Sequence, residues 1–306
     1  MNYGYYPGCS LEGISNEYDQ SLRSLFAKLE IGLTDLEDWI CCGTLAAPSI
    51  SRLLGLATPL WNVARAREQG LESLVAPCSA CLYHFKNAAR QVQEDESLKA
   101  RVETVLELPL TGLPPAIHPL QVLTEGPFEE RIRLGVQRDL SELKAVCYYG
   151  CHISRPARVM QFDDPENPTS MDRLLSWVGV ESLDWAGKVD CCGAHFSLIR
   201  PDIVVDLGAR LFADALEAGA QAIVVACPMC HANLDTRQGE IAARLGADLD
   251  LPVLYFSQVL GYALGLPEED LGLKKHLVDP APLLISLCQY RQTGAPVLDH
   301  SQEAAA

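Results

Sequence analysis

No apolar run in the sequence is long enough to cross a bilayer; the longest, such as Ala222 to Ala226, fall far short of the roughly 20 residues a spanning helix needs. Positive charge is scarce too. The 24 Lys and Arg residues face 40 Asp and Glu, a formal net charge of −16, with no basic cluster. Such a surface repels nucleic acid. It favours solubility, or docking to a basic face on a partner subunit. Neither GxGxxG nor a P-loop is present, which argues against a flavin or nucleotide on this chain. Residues Met1 to Ser10 lack the basic start and apolar stretch of a signal peptide, so the expected location is the cytoplasm. In that reducing compartment, cysteines serve metal ligation or redox chemistry rather than structural disulfides.

Cysteine is what the chain has in plenty. Ten of its 12 cysteines fall into two copies of one pattern. The first copy is Cys9, the adjacent pair Cys41 and Cys42, then Cys78 and Cys81. The second is Cys151, the pair Cys191 and Cys192, then Cys227 and Cys230. The gap before each pair is 31 or 39 residues, and the gap after it 35 or 34. The flanks repeat as well. Residues 5–10 (YYPGCS) answer 148–152 (YYGCH), and 74–81 (LVAPCSAC) answer 224–230 (VVACPMC). Two copies mean a duplicated domain, not a solenoid. The boundary is expected near residue 143, giving halves 1–143 and 144–306. The longer first gap of the second copy is accounted for by a polar, proline-rich loop from Asp163 to Pro168.

Both halves read as βαβαβα. A short strand ends at the first cysteine, and a helix follows, with Leu22, Leu25, Phe26 and Leu29 at helical spacing in the first copy. A second strand leads to Cys-Cys-Gly. Longer helices come next, near Ser49 to Gln69 and Asp202 to Ala218, with Gly70 and Gly219 as C-caps. A buried strand then delivers Cys-x-x-Cys to the start of another helix. This alternation predicts an α/β fold of two Rossmann-like halves, each a small parallel sheet flanked by helices, related by a pseudo-twofold axis. In a parallel sheet the carboxyl ends of the strands lie on one edge, so the three cysteine segments of each half are expected to converge there. Between the halves, a strand near Val105 and a helix near Pro119 to Leu123 are predicted.

Cys-x-x-Cys at a helix start suits thiolates, because the N-terminal N–H groups face them. Alone it leaves a thioredoxin-like site, half a zinc site and an iron–sulfur ligand pair all open. Adjacent cysteines must turn the backbone to serve one centre, and Gly43 and Gly193 permit that. Zinc and a cubane cluster each take four ligands, whereas each half offers five. A surplus repeated in both halves favours a four-iron cluster that is not a cubane, with zinc and plain thiol chemistry as the alternatives.

These two CCG motifs resemble those of the B-type subunits of heterodisulfide reductase, over most of the chain, from Met1 to about Gly265. The gap after Cys192 is one residue short of the family pattern. The resemblance implies two noncubane [4Fe–4S] clusters, one on Cys9, Cys41, Cys42, Cys78 and Cys81, the other on Cys151, Cys191, Cys192, Cys227 and Cys230. It implies disulfide reduction, or thiol oxidation, on a small-molecule or carrier-bound substrate. Electrons would come from an iron–sulfur C-type subunit and a flavin-containing A-type subunit. Similar chains also serve unusual succinate or fumarate reductases and aromatic-CoA reductases, so a non-catalytic electron-transfer or anchoring subunit is the alternative. A disulfide-cleaving chain predicts an open cavity between the two centres; the alternative predicts that space to be filled.

Three histidines touch the second motif, His152, His195 and His231, and only His84 the first. His195 is the expected proton donor to a departing thiolate, against a role in tuning the cluster. Cys147 and Cys288, outside both copies, read as buried small apolar residues. Tyr5, Tyr6, Tyr148 and Tyr149 read as packing around the clusters. Arg155 and Lys188 are the basic residues that would greet an acidic substrate group, although lone basic residues are usually solvated. The stretch Phe256 to Leu266 is apolar enough for an anchoring surface and is read as a core helix.

Overall fold

The computed structural model describes residues 1–44, 46–287 and 289–290; Cys288 and the tail beyond Gly294 lie outside the described residues. Each half builds one four-stranded sheet. The first contains β1 (Asn2–Tyr5), β2 (Gly32–Asp35), β3 (Leu74–Val75) and β4 (Ala116–Ile117), in the order β2-β1-β3-β4. The second contains β5 (Lys144–Tyr148), β6 (Glu181–Leu183), β7 (Ala222–Val225) and β8 (Val253–Tyr255), in the order β6-β5-β7-β8. Every pairing in the two sheets is parallel. The same strand order in both is what a duplication leaves behind. β7 is apolar and buried at every residue, as expected for a strand covered on both faces.

Helices fall where the periodicity places them. Helix Asn16–Lys28 buries Tyr18, Leu22, Leu25 and Phe26. Helices Arg52–Glu68 and Pro201–Glu217 follow the cysteine pairs. Each stops at a glycine with left-handed backbone, Gly70 at φ +71° and Gly219 at φ +81°. In the long loop, the Asp163 carboxylate accepts the amides of Thr169 and Ser170, and Asp164 those of Glu166 and Asn167.

Two expectations need correction. Val105 lies in helix Glu96–Leu106, not in a strand. Asp95 caps that helix by accepting the Leu98 amide at 2.9 Å. Leu98 and Val102, one turn apart, form its buried side, leaving Val105 54% exposed. The strand of this region is β4, followed by the predicted helix, Pro119–Glu125. The cysteine pairs also do not sit at strand ends. Loops of five and seven residues separate them from β2 and β6.

The halves interlock through several helix pairs. Helix Asn16–Lys28 packs on Phe256–Ala263, and Pro119–Glu125 on Ser170–Ser176. At the first contact Tyr18 stacks on Tyr255, ring centroids 4.1 Å apart, and the hydroxyls of Ser21 and Ser257 meet at 2.8 Å. Such a stack adds about 0.5–1.5 kcal/mol beyond burial. Helix Phe256–Ala263 is buried along its whole length, so this stretch is a core element and not an anchoring face. Among the described residues no helix is long and apolar enough to cross a membrane.

Candidate metal centre

Three segments bring cysteines to each site by matching devices. The first cysteine follows β1 or β5 after a glycine with left-handed backbone, Gly8 at φ +67° or Gly150 at φ +68°. At Gly150 a Cβ would lie 3.1 Å from the Cys230 sulfur, so the bare backbone is what lets the segments approach. Three residues before each first cysteine stands a buried tyrosine. Tyr6 donates its hydroxyl to the Ile40 carbonyl at 3.0 Å, and Tyr148 to the Asp190 carbonyl at 2.7 Å. Ile40 and Asp190 immediately precede the cysteine pairs. Each tyrosine therefore ties the segment bearing the first cysteine, just past its strand, to the loop bearing the second and third.

In those loops the Gly43 and Gly193 amides turn back onto the Cys41 and Cys191 sulfurs, at 3.5 and 3.3 Å. Cys78 and Cys227 cap the helices Ser79–Glu94 and Pro228–Thr236, with Cys81 and Cys230 one turn inside. The sulfurs meet. Cys9 and Cys41 are 3.8 Å apart, Cys42 and Cys81 2.9 Å, and Cys192 and Cys230 3.6 Å, while Cys151 is a hydrogen-bond partner of Cys191. Cys78 and Cys227 are hydrogen-bond partners across the two halves. All ten cysteines of the two copies line one cavity of about 430 Å³. The eleven described cysteines are free thiols.

The chemistry of this lining bears on what it can hold. Among the described residues it contains no Lys, Arg, Asp or Glu. With no cation at hand, the thiols stabilise one another. Hydrogen bonding with Cys41, then with Cys81, holds Cys42 down to about 2. Cys151 lowers Cys191 to about 6. Cys230, then Cys78, hold Cys227 well below its usual value. In each case the neighbours keep their protons. Ionising a whole nest needs positive charge from outside the protein, and a thiolate-bound metal centre supplies it. The donor set fits such a centre.

The expected histidines divide. His152 and His195 line the cavity, their rings 6.4 Å apart, and Tyr83 stacks on His152 at 4.7 Å. His84 stands behind, edge-on to Tyr83, and does not line it. His231 is a correction. Although next to Cys230, its ring is buried against Tyr255, with Nε2 3.0 Å from the Val253 carbonyl and 3.1 Å from His276 Nδ1. Adjacent helix residues point about 100° apart, so the neighbour of an inward cysteine faces away. Cys147 is buried, near Ser182 and outside the cavity, as expected. Arg155 is engaged by Glu166 and the Pro165 carbonyl, and buried Lys188 by Asp172 and Asn167. Neither reaches the cavity.

Sequence reasoning passed over His118. Fully buried, it sits 3.0 Å through Nε2 from both the Pro77 and Ala226 carbonyls, the residues preceding Cys78 and Cys227. Its Nδ1 accepts the Leu120 amide, so Nε2 carries the proton. One imidazole thus ties both Cys-x-x-Cys turns together.

Two parallel sheets that deliver five cysteines apiece to a shared cleft define a duplicated, cysteine-rich α/β protein. The chain belongs to the CCG cysteine-rich domain family, which it matches over residues 3–86 and 145–235. Similar proteins include the 8-methylmenaquinol:fumarate reductase membrane anchor subunit of Wolinella succinogenes, 28% identical over 92% of this chain and 98% of that one. Another is the B subunit of the ferredoxin:CoB-CoM heterodisulfide reductase of Methanosarcina mazei, 26% identical over 92% of this chain and 95% of that one. The resemblance to heterodisulfide reductase B subunits read from the motifs is borne out. Among solved structures, a hypothetical protein from Helicobacter pylori superposes with a TM-score of 0.73 at 12% identity, over 91% of this chain. The chain spans 52% of that protein's length, and the likeness shows the fold.

Proposed function

We propose that the chain is the catalytic B-type subunit of a heterodisulfide-reductase-like complex, performing disulfide/thiol oxidoreduction with two noncubane [4Fe–4S] clusters. The observation that carries this reading is the open cavity shared by both nests. Cys9, Cys41, Cys42, Cys78 and Cys81 would hold one cluster, and Cys151, Cys191, Cys192, Cys227 and Cys230 the other. Bound there, the clusters would supply one electron each to a disulfide. The chain's own part is to hold the substrate between its halves, 1–143 and 144–306, with one sulfur toward each nest. His195, at the cavity wall, gives its proton to a departing thiolate. Electrons arrive from an iron–sulfur C-type and a flavin-containing A-type subunit, in the cytoplasm.

The Wolinella relative favours a second reading, a non-catalytic electron-transfer or anchoring iron–sulfur subunit of a larger oxidoreductase of the fumarate reductase type. Metal analysis and turnover separate the possibilities. Anaerobically purified protein is expected to carry about four irons per half and no stoichiometric zinc. Cys41→Ala and Cys191→Ala should each lower viologen-driven disulfide reduction by at least about 100-fold, more than loss of a supporting partner costs. Stoichiometric zinc without iron ends the cluster assignment for that half. Iron without disulfide turnover favours the second reading.

A further inference from the structure

We infer that a second cavity, set between the two halves and apart from the cysteines, binds a small dianion, a phosphate monoester or a dicarboxylate. The site is independent of the proposed disulfide chemistry.

This cavity measures about 450 Å³ and shares no lining residue with the cysteine cavity. Helix Ser79–Glu94 forms one wall. It starts at the first Cys-x-x-Cys turn, and further along it presents Lys86, Arg90 and Gln93 to the second cavity. Spacings of four and three residues put these side chains on one helix face. Helix Pro119–Glu125 adds Gln121, and the second half closes the far side with Arg158 and Gln161. Among the described residues no Asp or Glu lines the cavity. The chain as a whole carries 40 acidic residues against 24 basic ones. Three cations around one cavity, with no acid among them, reverse that balance locally and draw in negative charge.

Two of these cations lack a counterion. Lys86 is half-buried, and its Nζ donates to the Met160 carbonyl of the other half at 2.6 Å, which leaves two of its N–H groups to donate. Among the described residues no carboxylate pairs with Lys86 or with Arg158, whereas Arg90 has Glu94 at 2.8 Å. Glu125 acts on Lys86 only from a distance, its carboxylate accepting the Gln121 amide at 2.9 Å. Burial accordingly pushes the Lys86 ammonium below its usual pKa. A desolvated ammonium without a counterion costs free energy, and an anion entering the cavity removes that cost. Arg158, exposed on the opposite side, supplies the second unpaired charge. Two unpaired cations call for two negative charges. Phe85, Leu113 and Val159 give the carbon skeleton of such a ligand an apolar surface.

The test is isothermal titration calorimetry on the iron-loaded full chain, kept anaerobic at about pH 7.5 and constant ionic strength, where both charged probes are close to dianions. The probes are glycerol 3-phosphate, succinate and the neutral succinamide. One or both dianions should bind at about one per chain with Kd below about 1 mM. Succinamide should bind at least about tenfold more weakly than the better dianion. The tighter dianion names the source, phosphate or carboxylate. Lys86→Gln should weaken it by at least about tenfold, the loss expected for a charged hydrogen bond. Arg158→Gln, at an exposed position that folding tolerates, should weaken it by about two- to fivefold. Lys28→Gln, which removes a cation outside the cavity, should leave Kd within about twofold. Failure of both dianions to bind overturns the inference, as does succinamide binding as tightly as the better dianion. Affinity unmoved by both Lys86→Gln and Arg158→Gln places the anion elsewhere and overturns it too. Each of these results leaves disulfide reduction standing, and absence of disulfide turnover leaves the anion site standing.

Discussion

In the first nest, Thr58 donates its hydroxyl to the Cys42 carbonyl at 3.1 Å, and the Thr44 hydroxyl lies 3.2 Å from the Cys42 sulfur. In the second, Asn233 does both, its amide 3.0 Å from the Cys192 carbonyl and 3.7 Å from the Cys192 sulfur, and Ser197 in turn bonds Asn233. Among the described residues, two imidazoles line the cavity from the second half and none from the first. Beneath these differences the scaffold is held in common: the tyrosine-to-carbonyl tie, the left-handed glycine and the cysteine at the helix cap. Backbone devices decide where five sulfurs meet, whereas donors around the sulfurs tune what a bound centre does. The duplication kept the former and let the latter diverge, so the two sites are alike in ligand geometry and unlike in their surroundings.

That comparison breaks most sharply at His118, which belongs to one half and serves both. Its counterpart in the second half, at the end of β8, is Tyr255, which makes no equivalent bridge among the described residues. Replacing it in His118→Leu leaves the buried Pro77 carbonyl without its donor, while the Ala226 carbonyl keeps the Tyr18 hydroxyl at 3.4 Å, and should cost about 3 kcal/mol at pH 7, the upper end for one orphaned buried group. Burial also holds the His118 imidazole down to about 4. Because the folded value lies below the unfolded one, its contribution is complete above about pH 6.5 and is lost as pH falls through about 4. Urea unfolding at a series of pH values should show unmodified protein losing about 3 kcal/mol over that window beyond any loss in His118→Leu. Parallel curves would mean that the imidazole does not couple the two turns.

Much of this was legible in the chain because it is written locally. Ten cysteines in a repeated order announced the duplication, and helical spacing placed Asn16–Lys28 and Pro201–Glu217. The convergence of Cys9 with Cys78, and of Cys151 with Cys227, followed from parallel-sheet topology alone. Failures came where contacts between distant segments decide. Val105 has the composition of a strand, but the Asp95 cap and the burial of Leu98 and Val102 set its conformation. His231 was judged by its neighbour in sequence, and the helix turned it away. His118 carries no signal of its own, since its meaning depends on two carbonyls more than forty residues to one side and a hundred to the other.

The imbalance of histidines gives the next test. His195→Gln should lower kcat for disulfide reduction by about 100-fold, the low end for a proton donor, with KM little changed and an altered pH–rate profile. His84→Gln, behind the cavity wall in the first half, should leave kcat within about twofold. A pH–rate profile unchanged in His195→Gln would limit that imidazole to tuning the site. Equal effects from the two substitutions would mean that the halves share the proton chemistry after all.

The smallest effect tests what the halves share. Tyr6→Phe and Tyr148→Phe each remove one hydroxyl and keep the ring, so packing of Tyr6 on Trp39 and Phe85, and of Tyr148 on Trp185, is retained. Ile40 and Asp190, whose carbonyls accept these bonds, belong to exposed residues that water can reach. Each substitution should therefore cost about 1 kcal/mol, toward the modest end for a lost hydrogen bond, and the two costs should agree within about 0.5 kcal/mol. Thermal unfolding of metal-free protein measures both. If Tyr148→Phe cost about 2 kcal/mol more than Tyr6→Phe, the tie would be structural in one half and incidental in the other. The halves would then have diverged in scaffold as well as in surroundings.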